Sequence, residues 1–323
     1  ATGQYVSPGW IDAMDQSGST LLQSGRAENK LQEGVTSAIG GEGGTPVPAD
    51  SVRQYFATLE RQGISINFGS YFSETQAREA ILGESARKPT QAELASMRAI
   101  MDTAMRGGAM GMTTALIYPP SSYASTDELI EVAKAAAAYG GLYASHIRGE
   151  GREVVQAVNE AITIGEKAGL PVEIFHLKVA YHPGWGILMD SVGRAVDAAR
   201  ARGVDVAADL YVYTAGGTGL EATIPSWAHE GGVDSLKARL SNPATRARLK
   251  KELVTGSPGW WNIIEAAGGW DGIVLVNARN PDNAKYEQKT IAQIAKATGK
   301  DPADAAWDLV AQGHDRVMAI YHM

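Results

Sequence analysis

Short apolar runs alternate along this chain with longer amphipathic stretches of helical spacing. The first run is Tyr5 to Asp12, and the second is Val35 to Ile39, ending in Gly40-Gly41-Glu42-Gly43-Gly44. A helix is expected over about 49–62, with Asp50 near its start, followed by the run Ile64 to Gly69. A longer helix is expected over 91–106, because Thr90 and Glu93 have the spacing of a capping box. Met110 to Leu116 reads as a strand, and Thr126 and Asp127 open an Ala-rich helix running to about Tyr139. Gly141 to His146, Val172 to His176 and Val206 to Tyr211 read as strands, separated by helices over about 150–168 and 187–202. About seven strand–helix units in succession imply parallel strands joined by right-handed crossovers, an α/β fold of the (β/α)8 TIM-barrel class. After Tyr213 the rhythm breaks. Residues from about 219 to 285, rich in Gly, Pro, Trp and charge, read as an insertion over one barrel face. Helices at about 288–298 and 302–312 follow, and Arg316 to Met323 reads as a strand.

Composition narrows the function classes. The 323 residues are 44% hydrophobic and 20% charged, as in a folded protein rather than a disordered one. With 29 basic and 36 acidic residues the formal charge is −7, which argues against nucleic-acid or anionic-membrane partners, since both need a concentrated positive field. No run is apolar and long enough to cross a bilayer. Cysteine is absent, so disulfides, Cys-ligated zinc and thiol nucleophiles are excluded and the redox compartment stays open. Cytoplasmic, periplasmic and secreted locations all fit, and oligomeric state is unreadable. The chain starts without Met or a recognisable leader and stops on a strand, which reads as a fragment truncated at both ends.

In a barrel, chemistry gathers at the C-terminal ends of the strands. Glu42 follows the second run, His146 and His176 close the fifth and sixth, and Tyr211 and Tyr213 the seventh. Lys178, two residues after His176, points the same way in an extended chain. Two histidines on adjacent strands plus one carboxylate suit a divalent cation, with zinc favoured by nitrogen and oxygen donors and one position left for water. Taken singly, each His reads more simply as a hydrogen-bonded core residue; it is the pair at equivalent strand ends that favours a metal site. His182, His229, His314 and His322 read as loop or surface positions. The Gly-rich segment around Glu42 lacks the endings of a phosphate loop or dinucleotide fingerprint, and neither Gly-x-Ser-x-Gly nor His-Glu-x-x-His occurs. Trp227, Trp260 and Trp261 suit a ligand cleft, but packing is the simpler role.

Five segments in order, Ser7-Pro-Gly-Trp-Ile-Asp12, Glu33-Gly-Val-Thr36, Ala144-Ser-His-Ile-Arg-Gly-Glu150, Ile174-Phe-His-Leu-Lys-Val179 and Ala208-Asp-Leu-Tyr-Val-Tyr-Thr-Ala215, resemble the N-acyl-D-amino-acid deacylases (D-aminoacylases) of the amidohydrolase superfamily. The resemblance runs the length of the chain and is specific only as a set. It implies a metal-dependent hydrolase barrel whose tight metal is held by a strand-two Cys and the His of strands five and six. Those positions fall on Glu42, His146 and His176. It implies that Lys178 binds a substrate carboxylate, that Tyr211 polarises the scissile carbonyl, and that Arg148 is an outer-shell or substrate contact. The superfamily's strand-one His-x-His falls on Met14 and Gln16, so one metal, rather than two, is expected. A subgroup that lacks this pair carries Gly-Glu-Gly in place of the Cys motif, as here. The general-base Asp of strand eight would lie beyond Met323, and the family's small β-sandwich has no counterpart, so low activity is expected of this chain by itself.

The resulting expectation is hydrolysis of the linear amide of small N-acyl-D-amino acids. Two alternatives stay open. One is a different amidohydrolase activity on dipeptides, cyclic amides or lactones; the other is a non-catalytic ligand-binding barrel derived from such an enzyme.

Overall fold

A computed structural model describes residues 2–323. Eight short strands form parallel ladders in chain order: β1 (Trp10–Asp15), β2 (Val35–Gly40), β3 (Asn67–Ser70), β4 (Phe72–Ser73), β5 (Gly111–Ala115), β6 (Leu142–His146), β7 (Val172–Ile174) and β8 (Val206–Ala208). One sheet holds β1-β2-β3 and the other β4-β5-β6-β7-β8, each strand beside its sequence neighbour. Only Tyr71 separates β3 from β4, and its N–H donates to the Gly40 carbonyl at 2.8 Å. The two sheets are therefore seven strand positions in a row, one of them kinked. Sequential parallel order with right-handed crossovers puts the helices on one face and their strand ends on another.

The helices show why the amphipathic spacing is legible. Helix Gln91–Gly107 is opened by the expected capping box: Thr90 Oγ1 accepts the Glu93 N–H at 3.3 Å and Glu93 Oε2 accepts the Thr90 N–H at 2.7 Å. Such a cap contributes ~1 kcal/mol. Met97, Met101 and Met105 recur every fourth residue and sit buried in the main core with Val52, Met112 and Leu129. Each contributes roughly 1.5–3 kcal/mol by leaving water.

Some boundaries differ from the sequence expectation. The first strand lies at Trp10–Asp15 rather than 5–12, because Trp10 pairs with Val35 and the ladder runs on to Asp15 opposite Gly40. This brings Met14, Asp15 and Gln16 to the reactive end. The helix expected from residue 150 begins at Val154, leaving Glu150 on a loop. Helix Glu74–Leu82, capped by Ser73, adds an element that the sequence pattern does not predict.

Beyond residue 214 the architecture changes. β9 (Ala215–Gly219), β10 (Ile273–Asn277) and β11 (Met318–His322) form an antiparallel sheet with β11 in the centre. The terminal run is thus a strand, but its partners are antiparallel. Helices Gly232–Leu240, Ile291–Thr298 and Pro302–Gln312 cover this sheet in a second core around Trp307 and Tyr321, which also takes in apolar residues of 219–285.

Candidate metal centre

Glu42 stands two residues past β2, His146 ends β6, and His176 stands two residues past β7. The loop carrying Glu42 turns at Gly41, where φ is +99° and a Cβ would lie 2.4 Å from the Tyr71 carbonyl oxygen, so only glycine fits. Thr113 Oγ1 donates to the Gly41 carbonyl at 2.6 Å and pins the turn. His176 also has positive φ, at 38°. That conformation is costly for a non-glycine residue and persists only where the surroundings impose it. Here Asp209 imposes it: its Oδ1 accepts the His176 N–H at 2.5 Å, its carbonyl accepts the Leu177 N–H at 2.9 Å, and its own N–H donates to the Ile174 carbonyl at 3.2 Å.

These constraints aim three donor atoms at one point. Glu42 Oε1 lies 3.0 Å from His146 Nδ1, His146 Nδ1 lies 3.0 Å from His176 Nε2, and His176 Nε2 lies 3.7 Å from Glu42 Oε1. The three atoms fall on a circle of radius about 1.9 Å, against zinc bond lengths of ~2.0–2.2 Å to imidazole nitrogen and carboxylate oxygen. The donor set and its spacing therefore fit a zinc-like cation, which Glu42, His146 and His176 would hold. All three side chains are buried and line a cavity of about 530 Å³.

The charges are strongly coupled. Burial works against the Glu42 carboxylate, but hydrogen bonds and charge from His146 and His176 hold its pKa well below the usual range. Burial, then the neighbouring His176 charge, push His146 down. His176 goes the other way, up to about 9, because hydrogen bonds to Glu150 and Glu42 outweigh its burial.

A surrounding layer holds these groups. Gln16 Nε2 donates to Glu42 Oε2 at 2.9 Å, leaving Oε1 to face the histidines. Asp15 turns away, accepting from Ser17 and pairing with Lys30. Glu150, buried, places Oε1 at 3.0 Å from His176 Nδ1 and 2.5 Å from Lys178 Nζ. Despite burial, the Lys178 charge and the His176 hydrogen bond bring its pKa down to about 2. Lys178 Nζ also donates to the His176 carbonyl at 3.0 Å and lies 5.2 Å from the centre of the Tyr211 ring. Tyr211, Tyr118 and Trp261 line the same cavity.

The structure thus brings Glu42, His146, His176, Lys178 and Tyr211 together. It does not bring Arg148. That guanidinium makes a two-pronged pair with Glu160 at 2.8 and 2.9 Å and donates to the Ser122 and Ala124 carbonyls at 2.9 and 3.0 Å. The substrate contact expected of Arg148 is corrected to a structural role: its geometry locks the loop after β5 to helix Val154–Ala168. Glu150, Asp209 and Gln16 were the residues left without a role by the sequence. Glu150 and Asp209 lie within the recognised segments, so an acidic residue beside each strand end was the available signal.

No family model matches the chain. It is 32% identical over 241 residues to the D-aminoacylase of Alcaligenes xylosoxydans xylosoxydans, covering 68% of this chain and 49% of that protein. It is 31% identical over 308 residues to the N-acyl-D-glutamate deacylase of the same organism, covering 88% of this chain and 60% of that protein. Among solved structures, the N-acyl-D-glutamate deacylase of Bordetella bronchiseptica, complexed with zinc and a phosphonate mimic of the tetrahedral intermediate, superposes with a TM-score of 0.74 at 25% identity. That match covers 98% of this chain and 60% of the solved one. The chain spans about half to three fifths of the length of the curated relatives it matches.

Proposed function

We propose that this chain, which is related to the N-acyl-D-amino-acid deacylases of the amidohydrolase superfamily, carries the metal centre of an enzyme hydrolysing N-acyl-D-amino acids to a carboxylate and a free D-amino acid. The observation that carries this reading is the convergence of Glu42 Oε1, His146 Nδ1 and His176 Nε2 within 3.7 Å of one another in the cavity wall. A bound zinc ion supplies Lewis acidity and a nucleophile at neutral pH. One cation, not two, is the reading favoured by the surroundings: Gln16 already occupies the second oxygen of Glu42, and Met14 offers no hard donor.

The chain's own residues divide the remaining work. Two ammonium protons of Lys178 go to Glu150 and the His176 carbonyl, which leaves the third for a substrate carboxylate. Tyr211, beside Lys178, is positioned to donate to the amide carbonyl as negative charge develops on it, a contribution of about 3 kcal/mol for a well-aimed donor. The carboxylates at the cavity among the described residues are Asp15, Glu42 and Glu150, each already paired, so proton acceptance from the nucleophile is assigned to none of them. In the same reading the seven parallel strand positions are part of a (β/α)8 barrel, with the free outer edges of β1 and β8 as its seam.

The test is metal content and turnover together. Elemental analysis should find one zinc per chain, and the zinc form of a protein spanning the full length of the matched relatives should release free amine from N-acyl-D-amino acids far faster than from their L enantiomers. Two zinc ions per chain would refute the single-cation assignment. Turnover confined to cyclic amides or lactones would move the activity to that class.

A further inference from the structure

Glu150 lies outside the proposed ligand set, yet it is among the most buried acidic side chains at the cavity, at 3% side-chain exposure. A carboxylate is removed from water only at considerable cost unless partners replace the solvent. Its partners are two groups of the site itself. Oε1 is 3.0 Å from His176 Nδ1 and 2.5 Å from Lys178 Nζ. The loop that carries it is tied down by its own carbonyl, which accepts the Ala180 N–H at 2.7 Å, just beyond Lys178.

The arrangement poses a choice that one proton settles. Lys178 Nζ lies 3.0 Å from the same Nδ1 that faces Glu150. Were the ammonium to donate to Nδ1, the ring proton of neutral His176 would sit on Nε2 and its lone pair would be lost to a cation. A carboxylate that accepts from both reverses the outcome, because Nδ1 then carries the proton and Nε2 is left bare. His146 has no such partner: its Nε2 is buried without a hydrogen bond among the described residues.

We propose that Glu150 is the positioning residue of this centre, accepting the His176 Nδ1–H and the Lys178 ammonium on one oxygen, so that His176 presents Nε2 to the cation and Lys178 stays beside it for the substrate. The inference rests on the metal-centre reading above. An outer carboxylate of this type contributes ten- to a hundredfold to metal affinity, in general about 1.4–2.7 kcal/mol.

The experiment measures zinc affinity by chelator competition on the chain as it stands, in wild type, Glu150→Gln, Glu150→Asp and Glu160→Gln, with the visible spectrum of each cobalt form. Glu160 serves as the control because it pairs with Arg148 away from the cavity. Glu150→Gln is expected to bind zinc ten- to a hundredfold more weakly and to shift the cobalt bands. Glu150→Asp should recover part of the loss, and Glu160→Gln should match wild type. Wild-type affinity in Glu150→Gln, or an equal loss in Glu160→Gln, overturns the proposal. If Glu150→Gln does not fold by circular dichroism, Glu150→Ala takes its place, and wild-type zinc affinity there overturns the proposal. A wild-type chain that binds no zinc overturns the metal-centre reading itself, and the positioning role with it.

Discussion

The two cores of this molecule treat charge in opposite ways. In the parallel-strand half the buried acidic and basic side chains are Asp15, Glu42, Glu74, Arg78, Glu128, His146, Glu150 and His176. Beyond residue 214 the buried polar residues are Thr218, Thr223, Ser226, Ser257 and Asn283, none of them charged. There the ion pairs lie near the surface, as in Arg246 with Asp304 and Asp308, and the interior is apolar around Trp307. Buried charge is weak evidence for stability and commonly costs it. In the parallel-strand half part of that charge gathers at the candidate metal centre, while the antiparallel half supplies packing and the cavity wall at Trp261, Arg316 and Met318.

The sharpest way to break this contrast is to remove a ligand. His176→Ala should abolish zinc retention, a larger loss than the ~10–100-fold of an outer partner, while leaving the metal-free protein folded. Undiminished zinc in that variant, read by elemental analysis, would sink the ligand assignment.

The counterpart in the other half is Trp307→Ala. It should lower unfolding stability by about 3–5 kcal/mol in urea, through transfer and cavity terms, with zinc affinity of the folded protein unchanged. A matching drop in zinc affinity would mean that the two cores are not divided as described.

A smaller effect is expected of Lys178→Met. Loss of one charge-assisted hydrogen bond is worth about 1.5–3 kcal/mol, so KM for an N-acyl amino acid should rise roughly ten- to a hundredfold. The corresponding amide, lacking the carboxylate, should be nearly unaffected, and equal changes for both would remove the anchor role.

The subtlest test concerns Glu74, whose two carboxylate oxygens are buried without partners. Burial, then the nearby Glu128 charge, push its pKa up to about 8. A folded-state value raised above the unfolded one means stability that is complete below about pH 4.5 and is lost as pH rises towards 8. Glu74→Gln should flatten that decline, leaving the variant the more stable protein at pH 8. Parallel melting curves for the two proteins across this range would show that Glu74 is ionised or paired in the fold.

The alternation of apolar runs and amphipathic stretches made the βα succession legible, because helices such as Gln91–Gly107 and Pro302–Gln312 carry both their period and their caps locally. Glu42, His146 and His176 were legible as candidates because each stands at the end of an apolar run. The substrate contact expected of Arg148 fails for the converse reason. Its neighbour His146 suggested the cavity, but Glu160, twelve residues on along the next helix, claims its guanidinium. Strand 5–12 was misplaced because an apolar run fixes no register, and only pairing with Val35 selects one.

What the sequence determined by itself, then, is the strand–helix alternation, the ends of locally capped helices such as Gln91–Gly107, and the residue types able to hold a cation, since these depend on neighbours a few positions away. What the tertiary structure decided is convergence: that Glu42 and His146, 104 residues apart, meet at 3.0 Å, that Asp209 bends His176 into a left-handed backbone, and that Glu150 receives both His176 and Lys178. Such contacts arise between strand ends and loops brought together by the sheet, so no local periodicity encodes them.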